Sequence, residues 1–328
     1  MILVYHYFII VESIYMDVSL FKSYRDRVIT NCEKVILGKE EMIERVLICF
    51  LCSGHILLED VPGTGKTMLL RSFAKSVGGD FRRVQFTPDL LPSDLTGINF
   101  YNMKTQEFEF RPGPLFAQIV LADEINRATP RTQASLLEAM EERQVSIDGV
   151  TYPMQEPFMV MATENPLENY GTFPLPEAQV DRFFMRLSLG YMSREDELAV
   201  ISRKPAAAIV QELDCVVTDE ETQELKEQIS QVHVADEVAE YIMDIIVATR
   251  NDERISNGVS TRGGIALYRA SQAHAALKGR DYVIPEDVRD LAPCVLAHRI
   301  GSSTTSRKDS EAYISELLKN IKVPLENL

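Results

Sequence analysis

The sequence predicts an α/β fold, a parallel sheet with helices on both faces, followed by a small all-helical domain. Three observations carry this. Short, wholly apolar runs, residues 119–122 and 158–162, alternate with amphipathic stretches of helical spacing, the pattern of strands buried on both faces between crossover helices. A glycine-rich turn, Gly63-Thr64-Gly65, joins an apolar run to a helical one. After Gly190 strand signals fade and helical patterns continue. The expected division is an α/β core over residues 17–191, a helical domain over 192–328, and an apolar extension over 1–16.

Residues 18–33 place Leu20, Phe21, Tyr24, Val28 and Ile29 on one helical face. Residues 35–38 form a short apolar turn. A second helix over 40–51 stops near Gly54. An apolar run, 55–58, is the first strand; 68–77 is a helix and 81–86 a strand. Residues 87–97, with two prolines, read as loop or short helix. Residues 100–110 alternate as a hairpin, and 119–122 form a buried strand. Thr129 caps the next helix with Pro130 at its first position, and Ala134, Leu136, Leu137 and Met140 line its core face. Asp148-Gly149 turns a second hairpin over 144–152. Strands over 158–162 and 183–189 complete the sheet. Beyond them, Ser193 caps a helix to 204, and Thr218 with Glu221 makes a capping box. Helices are expected over 235–250, 262–277 and 285–298. No internal repeat is visible.

A chain of 328 residues with 45% apolar and 25% charged content supports a sizeable core and two domains. A net charge of −15 repels phosphate backbones and disfavours nucleic acid as a partner. Five irregularly spaced cysteines point to reduced thiols and a cytoplasmic location. Cys49 and Cys52 form a C-x-x-C inside an apolar helical run, which reads as buried core thiols. Residues 1–16 have no Lys or Arg to serve as the basic segment of a signal peptide, and their apolar run is about half a membrane span. They are rich in β-branched and aromatic residues, so an added strand is one expectation. Because the amphipathic pattern begins only at Val18, Met16 is read as the true start and the rest as an over-extended reading frame.

The residues from Glu59 to Thr67 have the layout of a phosphate-binding loop: strand, glycine turn, Lys-Thr, helix. Glycines let several N–H groups turn toward one point, and the next helix aims its positive end at that point. Lys66 would reach the β- and γ-phosphates, and the Thr67 hydroxyl would hold Mg²⁺. The pattern departs at Asp60, where Gly is usual. The strand 119–122 runs into Asp123 and Glu124, suited to hold Mg²⁺ through its waters and to polarise the attacking water. Strand 158–162 leads to Asn165, which either orients water and contacts the γ-phosphate or makes an Asn-Pro turn. Arg182 is either a surface ion-pair residue or an arginine finger acting in a neighbouring subunit. Arg262 opens a helix, where a cation opposes the dipole and suggests a phosphate partner.

These stretches in this order resemble the MoxR group of AAA+ ATPases, in LLEDVPGTGKT (57–67), LADEINRATPRTQASLLEAMEERQV (121–145), ATENP (162–166) and FPLPEAQVDRF (173–183). The resemblance covers nearly all of the chain from Val18 on. It implies a P-loop NTPase fold of AAA+ type with a helical lid. Pro62, Gly63, Thr64, Gly65, Lys66 and Thr67 would form Walker A, and Asp123 and Glu124 Walker B. Asn165 would be sensor one, Arg182 the arginine finger and Arg262 sensor two. Ile36 and Gly38 would lie near the adenine. Residues 100–110 would be the helix-two insert hairpin and 144–152 the pre-sensor hairpin. The sensor-two stretch reads STRGG, where the group more often has SPRA.

The resemblance further implies an ATPase using ATP and Mg²⁺, the ion held by Thr67 and Asp123 partly through water. It implies a homo-oligomer, a hexameric ring, that remodels or assembles a partner, such as a von Willebrand A-domain protein whose metal site is loaded, or another client complex. No membrane span is expected. The alternatives are a nucleotide-gated scaffold with negligible turnover, a nucleic-acid motor and a metal-chelatase-like motor subunit. An intact Glu124 opposes the scaffold, and the acidic charge opposes the nucleic-acid motor.

Overall fold

The computed structural model describes residues 16–60, 63–164, 171–301 and 307–324, with the backbone alone for 307–309. Residues 1–15, and with them the reading-frame expectation, lie outside the described residues, as do Pro62 and Asn165.

The first part of the chain runs α1 (Val18–Glu33), α2 (Glu40–Leu51), β1 (Ile56–Glu59), α3 (Lys66–Val77), β2 (Phe81–Gln85), α4 (Pro92–Thr96), β3 (Gly97–Asn102), β4 (Glu107–Pro112), β5 (Ile119–Asp123), α5 (Pro130–Glu142), β6 (Gln144–Ile147), β7 (Val150–Pro153), β8 (Met159–Glu164), α6 (Glu177–Val180) and β9 (Met185–Leu187). The second is helical: α7 (Arg194–Ser202), α8 (Ala206–Gln211), α9 (Asp219–Gln228), α10 (Asp236–Asn251), α11 (Thr261–Leu277), α12 (Pro285–Leu296) and α13 (Arg307–Asn320). The central sheet has the order β2-β5-β8-β1-β9, every pair parallel. Ile56, Leu57 and Leu58 of β1 and Ile119 through Ala122 of β5 are fully buried, which is why these strands read as continuous apolar runs. Both hairpins form, β3–β4 wider than expected and β6–β7 turning at Asp148-Gly149, where both residues have positive φ.

The last strand is shorter than its apolar run, and α13 was not read from the sequence although Ile314, Leu317 and Leu318 give it a buried stripe. Thr129 stands at the N-cap of α5 without a side-chain cap bond; its hydroxyl lies 3.3 Å from that of Thr132. The Thr218–Glu221 capping box is present in full. Cys49 is buried and burial raises its pKa well above the ordinary value, while Cys52 is pushed to about 12, so both are inert protonated thiols.

Two cores flank the sheet. On one face α1, α2 and α3 pack together with the helical domain; on the other α5 contributes Leu136, Leu137 and Met140. Three polar ties lock these layers together. Thr222 donates to the Thr218 carbonyl, so the buried Tyr24 hydroxyl, 2.8 Å from Thr222 Oγ1, donates to it and joins α1 to α9. The buried His55 accepts from Val160 N–H at Nδ1, so Nε2–H donates to the Met140 carbonyl, holding the end of α5 against β1 and β8. Burial, with Arg143 nearby, drives its pKa down to about 3, so it stays neutral.

The third tie is an ionic cluster joining α2 to α11 and α12. His274 sits between Glu44 (3.3 Å) and Asp287 (2.9 Å); Arg25 and Lys278 also meet Glu44, and Arg280 forks onto Asp287, with Glu40 on the rim beside Arg25. Burial pulls the His274 pKa down, but the Asp287 and Glu44 carboxylates outweigh it and raise the value. Burial pushes Glu44 up, but His274, Lys278 and Arg25 outweigh it and bring it to about 2. The histidine's contribution is therefore complete below an unfolded pKa of about 6.5 and is lost as pH rises through its raised folded value. That of Glu44 is complete above about pH 4.3 and is lost as pH falls toward 2. In urea unfolding, the stability lost in His274→Gln should be larger at about pH 6 than at about pH 9. A difference that is flat or grows with pH would show that His274 is not held as an imidazolium.

Candidate functional site

The glycine loop leaves β1 at the carboxyl edge of the sheet. Gly63 and Gly65 have φ of +88° and +94°, which L side chains rarely adopt, and α3 starts directly after Gly65. The first N–H groups of α3 thus face the loop, with Lys66 and Thr67 in the first turn. Lys66 Nζ donates to the Asp60 carbonyl at 2.9 Å. Burial lowers the lysine's pKa, opposed by the charges of Asp60, Asp123 and Glu124. These carboxylates are thus close enough to act on the amine.

Asp60, where the common pattern has glycine, has a task of its own. Its buried carboxylate accepts from Ser188 Oγ (3.1 Å), from Leu189 N–H and from Gly190 N–H (3.2 Å). Removing it would strand donors at about 1–3 kcal/mol each. The residue that breaks the motif ties the loop to the segment between the sheet and the helical domain.

The residues expected near a base lie on the same side. Ile36 Cδ1 comes within 3.8 Å of where a Gly65 Cβ would be. Gly38 has φ of +64°, which favours glycine, and a Cβ there would stand 2.3 Å from Asp196 Oδ2, so a side chain would have to displace that carboxylate. Lys39 donates to the Leu189 and Tyr191 carbonyls, and Arg203 to those of Lys34 and Val35.

The acidic pair ends β5, two strands from β1 with β8 between, or roughly 10 Å at ordinary strand spacing. Asp123 Oδ1 accepts from Thr163 Oγ1 at 2.7 Å, and Oδ2 from Arg83 at 2.7 and 3.1 Å. Glu124 has φ of +58° and ψ of +52°, costing about 1–3 kcal/mol in a residue with a side chain. Its N–H donates to Thr163 Oγ1 at 2.8 Å, which helps hold that turn. Its Oε2 accepts from Gln85 Nε2 at 2.6 Å and pairs with Arg127 at 2.9 Å. Arg83, Gln85, Arg127 and Thr163 were missed in the sequence. Arg83 and Gln85 point to one side of β2 by alternation, but nothing in the sequence says that β2 adjoins β5. The oxygen donors Thr67 and Asp123 suit Mg²⁺, which keeps several waters.

The two arginines stand elsewhere. Arg182 precedes β9 and so lies at the amino edge of the sheet, about the length of β1, roughly 13 Å, from the loop. Arg262, at the start of α11, is with it. Both pair with Glu141 near the end of α5, Arg182 at 3.1 Å. They line a cleft of about 240 Å³ together with His55, Arg143, Asp181 and Arg299, a set that contains no phosphate-loop residue. The structure thus gathers Ile36, Gly38, Gly63, Thr64, Gly65, Lys66, Thr67, Asp123 and Glu124 at one edge, and Arg182 with Arg262 at the other.

The hairpins are joined by a Phe110–Tyr152 ring stack at 4.2 Å and by Asn99 Nδ2 donating to Asp148 at 2.8 Å. The β3–β4 hairpin exposes large apolar side chains among its polar ones: Met103 is 82% exposed and Phe108 74%.

The chain is similar to known proteins over nearly all of its length. Residues 55–185 match the family model "ATPase family associated with various cellular activities (AAA)", and residues 247–317 match "AAA lid domain". The uncharacterized protein YeaC of Bacillus subtilis is 48% identical over 92% of this chain and 95% of its own length. Chaperone MoxR1 of Mycobacterium tuberculosis is 38% identical over 92% of this chain and 83% of its own. A crystal structure of a Cytophaga hutchinsonii protein superposes with a TM-score of 0.85 at 38% identity, over 94% of this chain and 98% of the other.

Proposed function

The chain belongs to the MoxR family of AAA+ ATPases, and from that premise we propose that it hydrolyses ATP in a ring, as a chaperone-like factor that remodels or assembles a partner protein or complex. One observation carries this reading. The phosphate loop and the acidic pair share the carboxyl edge of the sheet, while Arg182 and Arg262 share Glu141 at the amino edge. The arginines cannot serve their own chain's loop across the sheet; they can serve a neighbour's.

In this reading Gly63 to Thr67 cradle the phosphates, Lys66 neutralises the β- and γ-oxygens, and Ile36 and Gly38 border the base. Thr67 and, through water, Asp123 would hold Mg²⁺, which would supply charge neutralisation when bound. Glu124 takes the proton of the attacking water once Gln85 and Arg127 yield its carboxylate. Asn165 orients that water. Arg182 and Arg262, freed from Glu141, stabilise charge on the neighbour's transferring phosphoryl group. The exposed apolar side chains of the β3–β4 hairpin offer contacts to a client, with a von Willebrand A-domain protein the leading class and metal insertion one form of the work. The cytoplasm is the proposed compartment.

The test is the mass of the wild-type chain and of Glu124→Gln by light scattering, with and without Mg-ATP, beside wild-type phosphate release. Growth to about six subunits on ATP, with turnover, is expected of an enzyme completed by its neighbour. A chain that binds ATP, remains monomeric and releases no phosphate would point instead to a nucleotide-gated scaffold.

A further inference from the structure

The peptide that bears Arg182 is fastened on two sides: Phe184 N–H donates to the His55 carbonyl beside β1 at 2.8 Å, and the helical domain supplies the side chains that hold the rest. A 3₁₀ turn, Ala297–Arg299, follows α12, and its last two side chains are buried against residues 181–184. Arg299 Nη1 donates to Asp181 Oδ1 (2.8 Å) and to the Asp181 carbonyl (3.2 Å). Its Nη2 donates to the carbonyls of Phe183 (2.6 Å) and Phe184 (3.3 Å), and its Nε to that of Val295 (2.8 Å). His298 Nε2 donates to the Phe183 carbonyl as well, at 2.9 Å. Ser260, the cap of α11 two residues before Arg262, lies 3.3 Å from the other Asp181 oxygen. Both chain neighbours of Arg182 are therefore held by side chains that belong to the helical domain.

An independent feature points the same way. The sensor-two stretch departs from the usual pattern at Thr261 and at Gly263. A Cβ at Gly263 would come 2.9 Å from Arg299 Cδ and 2.6 Å from Val259 Cγ1. The glycine gives the Arg299 stem its path past α11. The departure at Gly263 and the arginine fork thus belong to one arrangement.

We propose that Arg299 is the positioning residue for Arg182: its buried fork fixes the backbone of residues 181–184, so that the stance of the helical domain decides whether Arg182 is presented to the next subunit's γ-phosphate. The inference rests on the ring reading of the proposed function. In it, a movement of the lid in one subunit is felt as a change of turnover in its neighbour. Arg299 lines the cleft of Arg182 and Arg262, a set without any residue of its own chain's glycine loop, and in this proposal it acts through the peptide.

The experiment compares Arg299→Gln, Arg299→Lys and Arg182→Ala, each alone and mixed with Glu124→Gln subunits, which lack the base but carry an intact 181–184 peptide. Arg299→Gln should bind ATP with an affinity and KM within about twofold of wild type, because its loop is untouched, and lose turnover by about 10–100-fold, the size of a 1 Å misplacement. Mixing should restore turnover, since a Glu124→Gln neighbour then offers a well-placed Arg182. Arg299→Lys keeps a charge for Asp181 but not the fork. It should show the same pattern at smaller size, and it stands in where Arg299→Gln does not assemble. A lid that was merely destabilised would not be rescued from the neighbouring subunit. Full turnover in both Arg299 variants while Arg182→Ala is inactive overturns this inference alone. So does recovery of Arg182→Ala on mixing with no recovery of the Arg299 variants. Full turnover in Arg182→Ala overturns the finger reading itself, and this inference with it.

Discussion

Glu124→Gln is expected to bind Mg-ATP as tightly as the wild type and to hydrolyse it about 10²–10⁴-fold more slowly. The change removes only the ability to accept a proton. Glutamine has the size of glutamate and can still accept from Gln85, and the Thr163 hydroxyl that caps the 124 N–H is untouched. Arg127 loses its anionic partner, but it and Glu124 are both partly exposed at 39% and 24%, so the ion pair adds little stability. Binding is read with a fluorescent nucleotide and chemistry by single-turnover phosphate release. Turnover within about tenfold of wild type would remove Glu124 from the role of base.

Lys66→Ala should lose ATP affinity by about a hundredfold or more. Each charge-assisted contact to phosphate contributes about 1.5–3 kcal/mol, and the amine is aimed at two phosphates. The fold should survive, because the lysine's resting contact is a single bond to the Asp60 carbonyl and its side chain is half-buried. The amine is also the cation facing Asp123 and Glu124, so its loss leaves those carboxylates less compensated and the site less hospitable to a polyphosphate. Titration calorimetry with Mg-ATP measures the change. An affinity equal to wild type would mean that the glycine loop is an ordinary turn before a helix.

What was legible in the sequence was local chemistry. Lys-Thr after paired glycines, two acids ending an apolar run, Asp-Gly between alternating residues and Thr218 three before Glu221 each fix a structure within a few positions, and each stands in the fold. Residues joined across the sheet were not legible. Gln85 meets Glu124 only because β2 lies beside β5, and strand order is set by the packing of helices far apart in the chain. Glu141 reads as one more surface acid on α5 until two arginines 41 and 121 positions away converge on it. Helix α13 carried a readable stripe, but it follows a polar stretch, and its value lies in closing the groove over α12 rather than in any site.

The Asp60 tie bears on where this protein tolerates new sequence. Connections between domains are ordinarily the safe places to insert a tag, a reporter or a few extra residues, because they lie on the surface and hold little. Residues 188–190 look like such a place, yet all three donate to one carboxylate at the entrance to the phosphate loop. Lengthening that connection by even one residue would shift the loop's anchor out of register and disturb the glycine loop without touching any of its residues from Gly63 to Thr67. Natural insertions and engineered labels should therefore collect elsewhere and spare this short bridge.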